Sequence, residues 1–174
     1  MKQLLSFFLA GLALLSAPAA HAKHFKPYPK PAPASTITLS EQDKLHLLRD
    51  AFTVVKTVRE VPEPVRKQLL GKSKDPLDGM ADFGQPFQTT DVVGPKPLPF
   101  GRLIFAATSQ GYCLVYYEYG GYGYGQEIEL FRLFGGQAVR AWAGSLTETR
   151  RLLNLPEVRA EISKSRYSDK HQGE

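Results

Sequence analysis

Four carboxylate residues border the strand-like runs of this chain and are the side chains best suited to acid–base chemistry: Asp91, Glu118, Glu127 and Glu129. Two carboxyl groups that face each other across a cleft, about 5–10 Å apart, can hydrolyse a glycosidic bond. Glu118 ends an apolar run, where partial burial would suit it to the role of an acid. The sequence therefore suggests a hydrolase with Glu118 and Asp91 as its catalytic pair. The competing interpretation, which we favour, is that Glu118 pairs with Arg102 or accepts a bond from a glycine-rich turn.

Three tyrosines among glycines form the second candidate site. Tyr119, Tyr122 and Tyr124 lie in a stretch where residues 120, 121, 123 and 125 are glycine. Tyrosine offers a large contact area, a low entropy cost and a polar tip, and it therefore suits protein interfaces and sugar rings. The alternative is that the rings fold back over the sheet as a lid. We predict that these tyrosines, with Glu118, form a partly exposed binding surface.

Other site chemistries lack the residues that they need. Cys113 is the one cysteine, so no disulfide can form within the chain, and its apolar neighbours favour a buried, unreactive thiol. Asp75, Asp78 and Asp82 are spaced by three and four, whereas a calcium loop needs ligands at alternate positions. The histidines are too few for a zinc site, and the nucleophile motif of serine hydrolases does not occur. We predict neither a metal nor a cofactor.

The N-terminus has the organisation of a secretory signal peptide at residues 1–22. Lys2 provides the positive charge, Leu4 to Leu15 an apolar run, and Ala20-His21-Ala22 a cleavage site. The apolar run is shorter than the roughly 20 residues that span a bilayer. We expect cleavage after Ala22 and export to the periplasm or beyond, and no later segment has the pattern of a transmembrane helix.

The basic residues concentrate near the N-terminus. The formal net charge of +5 owes much to Lys23, Lys26 and Lys30, which alternate with prolines in residues 23–36. Proline favours extended backbone, so we predict an extended linker there, or an arm for an anionic envelope surface. A nucleic-acid site needs positive charge on a folded face, and we expect none. The single folded domain is predicted at residues 37–165, followed by a flexible polar tail at 166–174.

Alternating runs separated by glycines predict an antiparallel meander of four or five strands. The runs are Leu103–Thr108, Tyr112–Tyr119, Glu127–Phe134 and Gln137–Trp142, with Phe87–Val93 as a possible edge strand. Both faces of the central strands are apolar, so each should be covered.

Turn residues predict the pairing within this sheet. A three-residue turn at 109–111 would place Tyr112 opposite Thr108. A two-residue turn at Gly135–Gly136 would place Leu133 opposite Ala138. Strict alternation then puts Val139 in the core and Glu127, Glu129 and Trp142 on a partly wet face.

Helices are predicted on both sides of the sheet in sequence. A long helix at Ser40–Val58, begun by a capping box, should pack on one face of the sheet. A short helix follows at Pro64–Leu70, and two short C-terminal helices are expected around Thr147–Leu153 and Glu157–Ser165. The order of helices, strands and helices is typical of the α+β class.

Four short segments carry a further signal: Gly84-Gln85-Pro86-Phe87, Thr90-Asp91-Val92-Val93, Arg102-Leu103-Ile104-Phe105-Ala106 and Tyr117-Glu118-Tyr119-Gly120-Gly121. In these segments the chain resembles small exported bacterial proteins of unassigned function. The resemblance implies export and no particular activity.

We therefore expect an exported, non-enzymatic binding or interaction module of the cell envelope. Its partner, an envelope protein or a polysaccharide, would contact the tyrosine-rich turn. The alternative is a carboxylate-based hydrolase that acts on an envelope polymer.

Overall fold

The computed structural model describes residues 38–70, 79–92, 95–121, 123–148 and 150–170. The predicted signal peptide and linker lie outside these residues, as does most of the region around Asp75 and Asp78. The elements in chain order are α1 (Glu41–Arg49), β1 (Thr53–Val55), a 3-10 turn (Val58–Glu60), α2 (Glu63–Leu69), β2 (Met80–Ala81), β3 (Gly101–Thr108), β4 (Tyr112–Tyr119), β5 (Gly125–Phe134), β6 (Gln137–Leu146), α3 (Leu155–Ser163) and β7 (Tyr167–Asp169).

The fold of the described residues is α+β, with one largely antiparallel sheet and three short helices. The sheet has seven strands, in the order β1-β3-β4-β5-β6-β7, and β2 adds a short parallel pairing to β3. The antiparallel meander is thus confirmed. It is larger than predicted because short segments at both ends of the domain add strands β1, β2 and β7 to it.

The prediction of a long N-terminal helix is wrong. Helix α1 ends at Arg49, and Thr53–Val55 instead pair antiparallel with residues 106–108 of β3. These β-branched residues suit a strand better than a helix. Within α1, Leu47 is fully buried, whereas Leu45 is exposed.

Each face of the sheet has its own apolar cluster, as predicted for central strands. Helices α1 and α3 cover the first face, where Trp142 and Tyr116 are the largest fully buried side chains. The 3-10 turn and α2 cover the second face, where Val65 packs near Leu103 and Phe131. The amide of Gln68 on α2 also donates a hydrogen bond to the carbonyl of Ala138 on β6.

The β3–β4 pairing differs from the prediction by one residue. The turn residues are Gln110 and Gly111, so Thr108 lies opposite Cys113 rather than opposite Tyr112. A bulge at Ile104 then places the side chains of Ile104 and Phe105 together in the apolar cluster of the first face. A bulge adds an unpaired residue to one strand, which breaks strict alternation.

The β5–β6 hairpin has the predicted register. Leu133 lies opposite Ala138, and Phe131 opposite Arg140. Beyond that point a bulge at Ala141 shifts β6, so the prediction of a partly wet Trp142 is wrong: its side chain is fully buried. Val139, predicted in the core, is largely exposed.

The C-terminal segment adds a strand at one edge of the sheet. Helix α3, which Asn154 caps, lies close to the predicted helix at Glu157–Ser165 and buries Val158 and Ile162. The described residues of the segment Thr147–Leu153 form no helix. Residues of the predicted polar tail form β7, which pairs with β6. Among the described residues no helix is long and apolar enough to cross a membrane.

Asp43 joins helix α1 to the sheet. Its carboxylate is almost completely buried and accepts two hydrogen bonds from the Arg132 guanidinium, at 2.8 and 2.6 Å, and one from the Tyr112 hydroxyl. The Ser40 hydroxyl donates to the same carboxylate. Its oxygen also accepts from the Asp43 backbone amide at 3.1 Å, which is the N-cap bond that the sequence indicated. Burial raises the pKa of Asp43, but these hydrogen bonds and the charge of Arg132 outweigh it and lower the pKa below its usual value.

The Arg132→Ala variant should lose about 1–3 kcal/mol of unfolding free energy at neutral pH, because the buried Asp43 carboxylate then lacks its charged donor. A group whose folded-state pKa is lowered stabilises the protein above its unfolded pKa of about 4, and this contribution disappears as the pH falls through the folded-state pKa. The acid limb of the stability curve should therefore be shallower in the variant. Urea unfolding between pH 2 and 7 measures both effects. Lys67→Ala is the control: it breaks the exposed Lys67–Glu63 pair and should cost less than about 1 kcal/mol.

Candidate functional site

The candidate site lies where β4 ends and β5 begins. Tyr119, the last residue of β4, pairs with Gly125, the first residue of β5. The connection between them contains Tyr122, which lies outside the described residues. Glu118 precedes the connection and Tyr124 ends it. The described residues of the predicted binding surface thus occur together at one end of the sheet.

Glu118 is buried and its two oxygens are both occupied. Its side chain is 1% exposed. Oε1 accepts from Arg102 Nε at 2.6 Å, and Oε2 accepts from Arg151 Nη2 at 2.9 Å and from the Tyr124 hydroxyl at 2.7 Å. Two guanidinium groups on one buried carboxylate compensate the cost of removing its charge from water. The predicted pairing of Glu118 with Arg102 is confirmed.

The two arginines connect Glu118 to other segments of the chain, and Arg102 connects it to the loop before β3. Arg102 also donates from Nη1 to the carbonyl of Gln85 at 3.0 Å and lies 4.3 Å from the ring centre of Phe87. Arg151 comes from the irregular segment between β6 and α3. Glu118 therefore holds together the loop before β3, the strand pair β3–β4 and the segment after β6.

Asp91 is not one of the hydrogen-bond partners of Glu118. It is exposed and lies in a bend of the chain, and residues 87–92 form no strand. The predicted edge strand is therefore wrong. The side chain of Gln88 stabilises the irregular conformation of this loop. Its amide donates to the carbonyls of Thr90 and Val92, at 2.9 and 2.6 Å, which keeps the segment folded on itself.

A close approach at Gly120 fixes the base of the connection. The Gly120 amide donates to the carbonyl of Phe100 at 2.9 Å. A Cβ atom at this position would lie 2.1 Å from the carbonyl oxygen of Gln88 and 2.6 Å from Cα of Thr89. Only glycine allows the two backbones to come so near. Gly121 follows with φ of +103°, a conformation that L side chains rarely adopt.

The two described tyrosines of the predicted surface are both partly exposed, Tyr119 by 40% and Tyr124 by 53%. The Tyr119 ring lies over Gly125, so that a Cβ atom at Gly125 would stand 2.5 Å from the ring. The Tyr124 ring is held at its tip by the bond to Glu118. Neither ring belongs to the apolar clusters, but the Tyr119 ring covers Gly125 of β5, as it would in the alternative of rings folded back over the sheet.

Two depressions flank Tyr119. The first, about 300 Å³, is bounded by Tyr119 and Tyr124 and further lined by Gly125, Gln126, Ser145, Leu146 and Glu148. The second, about 460 Å³, is lined by Tyr117, Tyr119, Glu127, Ser145, Ser168, Asp169 and Lys170. Tyr119 and Ser145 border both. Volumes of this size are at the lower end of those seen for small-molecule sites.

A second carboxylate cluster lies next to the second depression. Glu127 accepts two hydrogen bonds from the Lys170 ammonium, at 2.8 and 2.7 Å, and Glu129 accepts one from the Tyr117 hydroxyl at 2.9 Å. Arg140 Nε stands 2.5 Å from Glu129. Burial raises the pKa of Glu129, although the charge of Arg140 opposes this. Both glutamates are buried, which corrects the prediction that they share a partly wet face.

The sequence offered no sign of several lining residues. Ser145, Ser168 and Lys170 reach the site because β7 pairs with the end of β6, in a segment whose composition indicated a flexible tail. Arg151 also went unrecognised, because it follows Glu118 by 33 positions without a pattern that would connect them. Pairing across such distances depends on the folded sheet.

The remaining candidates for chemistry do not converge. Cys113 is fully buried, and burial raises the pKa of its thiol to about 11, so it stays protonated and unreactive as predicted. His46 stacks against Tyr112 and contacts Asp50. Within the described part of the chain, no group of three or more His, Cys, Asp or Glu side chains is arranged to hold a metal ion.

Comparison with protein-family models, with curated proteins and with solved structures finds no match for this chain. The resemblance to small exported proteins stays a prediction. The functional argument consequently depends on the side chains just described.

Replacement of Glu118 by glutamine should lower the free energy of unfolding by about 1–3 kcal/mol, because Arg102 and Arg151 would lose their shared anion in a buried site. Chemical denaturation at pH 7 measures the loss. Glu63→Gln, at an exposed helical position, should change stability by less than about 0.5 kcal/mol. An unchanged stability for Glu118→Gln would show that the cluster does not hold these segments together.

Gly120→Ala should also destabilise the protein and disturb the loop at Gln88, because its Cβ atom would overlap backbone atoms. Gly123→Ala is the matched control in the same connection, since nothing lies within 4 Å of the Cβ that it would add. Thermal unfolding should give a clear decrease in Tm for Gly120→Ala and little change for Gly123→Ala. Equal melting temperatures would contradict the close approach.

Proposed function

We propose that this chain is an exported, non-enzymatic binding module of the cell envelope, which contacts its partner through Tyr119 and Tyr124. The observation that carries the proposal is the exposure of both rings beside an open depression. Exposed aromatic rings are common anchors in binding surfaces. The partner is an envelope protein or a polysaccharide.

The fixed positions of the two rings support a binding role. Gly125 supports the Tyr119 ring from below, and Glu118 holds the hydroxyl of Tyr124. A ring that is already ordered loses little conformational entropy when a partner binds, so more of the contact energy contributes to affinity. The absence of a side chain at Gly125 thus helps to hold the Tyr119 ring in a position suited to binding.

The proposed export depends on the sequence at the N-terminus. Lys2, the apolar run that follows and the site after Ala22 together have the order of a secretory signal. Cell fractionation and N-terminal sequencing of the recovered protein test this part. Recovery of cytosolic protein that retains Met1 would contradict it.

The alternative is a carboxylate hydrolase that acts on an envelope polymer. The hydrolase would need Glu118 and a second carboxylate in one open cleft, whereas Glu118 is buried between two arginines and Asp91 is exposed in a bend of the chain. Glu127 borders the second depression, but Lys170 binds both of its oxygens, and Glu129 is buried and paired with Arg140. These contacts favour the binding module.

Pull-down from an envelope extract tests the contact surface. Tyr119→Ala should reduce the recovery of the partner at least about fivefold, which corresponds to about 1 kcal/mol of binding, while Tm changes little because the ring is outside the core. Phe134→Ala is the matched control: Phe134 is 56% exposed at the β5–β6 turn, and its truncation should leave recovery unchanged. A large fall in Tm with unchanged recovery would return Tyr119 to a structural role and remove the proposal.

A further inference from the structure

We propose that the site at Tyr119 binds an extended glycan of uncharged or amino sugars, with one sugar ring stacked on the tyrosine. This inference rests on the proposed binding function and names its ligand class. Its first basis is the position of Tyr119, whose ring borders both depressions. A ligand that fills both must cross the boundary that Tyr119 forms with Ser145, as a chain of linked rings would.

The orientation of Tyr119 fits a stacked sugar. The ring lies over Gly125, whose missing side chain leaves room for it, and the residue remains 40% exposed. The face of an aromatic ring carries partial negative charge and attracts the weakly positive C–H groups of an apolar surface. One face of a pyranose ring presents such C–H groups.

Polar groups surround the ring on both sides, as the hydroxyl groups at the edge of a sugar require. Ser145 borders both depressions, Glu148 lines the first, and Ser168 and Asp169 line the second. Hydroxyl and carboxylate side chains accept and donate the hydrogen bonds that sugar hydroxyls make. Among the described lining residues, Leu146 is the single aliphatic side chain, so apolar peptide side chains would find little complementary surface.

The charge of the lining selects among glycans. Three carboxylates, Glu127, Glu148 and Asp169, face one ammonium group, that of Lys170. Lys170 is already bound to both oxygens of Glu127. Arg150 stands beside Glu148, but it is shared between Glu148 and Glu157. A uronate, sulfate or phosphate group would therefore meet net negative charge without a free cation among these lining residues. Uncharged sugars avoid this repulsion, and amino sugars are attracted.

The test uses the full chain, expressed with its own N-terminus and purified from the exported fraction. The probes are the tetramer of N-acetylglucosamine, its deacetylated tetramer and oligogalacturonate, with binding followed by saturation-transfer NMR and titration calorimetry. We expect the first two to bind and oligogalacturonate not to bind. Tyr119→Ala should weaken the binding at least about tenfold, Tyr119→Phe should retain it, and Phe134→Ala should have no effect.

Three results would overturn the inference: no binding of either sugar tetramer, stronger binding of oligogalacturonate, or equal affinity for Tyr119→Ala. The pull-down distinguishes this failure from failure of the binding module itself. If Tyr119→Ala reduces recovery from the extract, protease treatment of the extract abolishes recovery and the sugars do not bind, the surface contacts a protein and the glycan inference alone is wrong. If Tyr119→Ala changes neither measurement, both proposals are wrong.

Discussion

The buried charge of Glu118 is the constraint on which the candidate site depends. A carboxylate that is excluded from water must be matched by opposite charge and by hydrogen bonds to both oxygens, or the folded state loses several kcal/mol. Arg102 and Arg151 supply the charge, and Tyr124 supplies a further donor. Because these partners come from separate segments, meeting the needs of one carboxylate fixes the ends of several loops. The same side chain that looked suited to catalysis is thereby made structural.

Glycines determine how closely the backbone segments at the site can approach. At Gly120 the missing side chain admits the loop at Gln88, and at Gly125 it admits the ring of Tyr119. Contacts therefore require both glycines, one of them against backbone and one against an aromatic ring. The consequence is an exposed ring with a defined orientation, which is what a binding surface needs.

Local signals predicted the parts of the fold that depend on local physics. The hairpin at Gly135–Gly136 has the expected register because a two-residue turn sets the pairing of both strands. The bulges at Ile104 and Ala141 could not be predicted, because one extra residue leaves the apolar pattern looking regular while it reverses the faces beyond it. The helix from Ser40 failed for a different reason. Its second half gains more from pairing with β3 than a short helix could offer, and that partner lies about fifty residues away.

Position along a strand, rather than residue type, decides which tyrosines of β4 are available for contact. Tyr116 points to the face covered by α1 and α3 and is fully buried, and Tyr117 points to the other face, where its hydroxyl bonds to Glu129. Both faces are covered along the middle of the strand, so any side chain there is enclosed. Tyr119 stands at the last pair of β4 and β5, where its neighbour across the sheet is a glycine. Its exposure follows from where the sheet ends. The glycines of the sequence indicated where this end of the sheet lies. The polar residues that complete the site belong to β7 and its flank, which lie near the C-terminus and pair with β6.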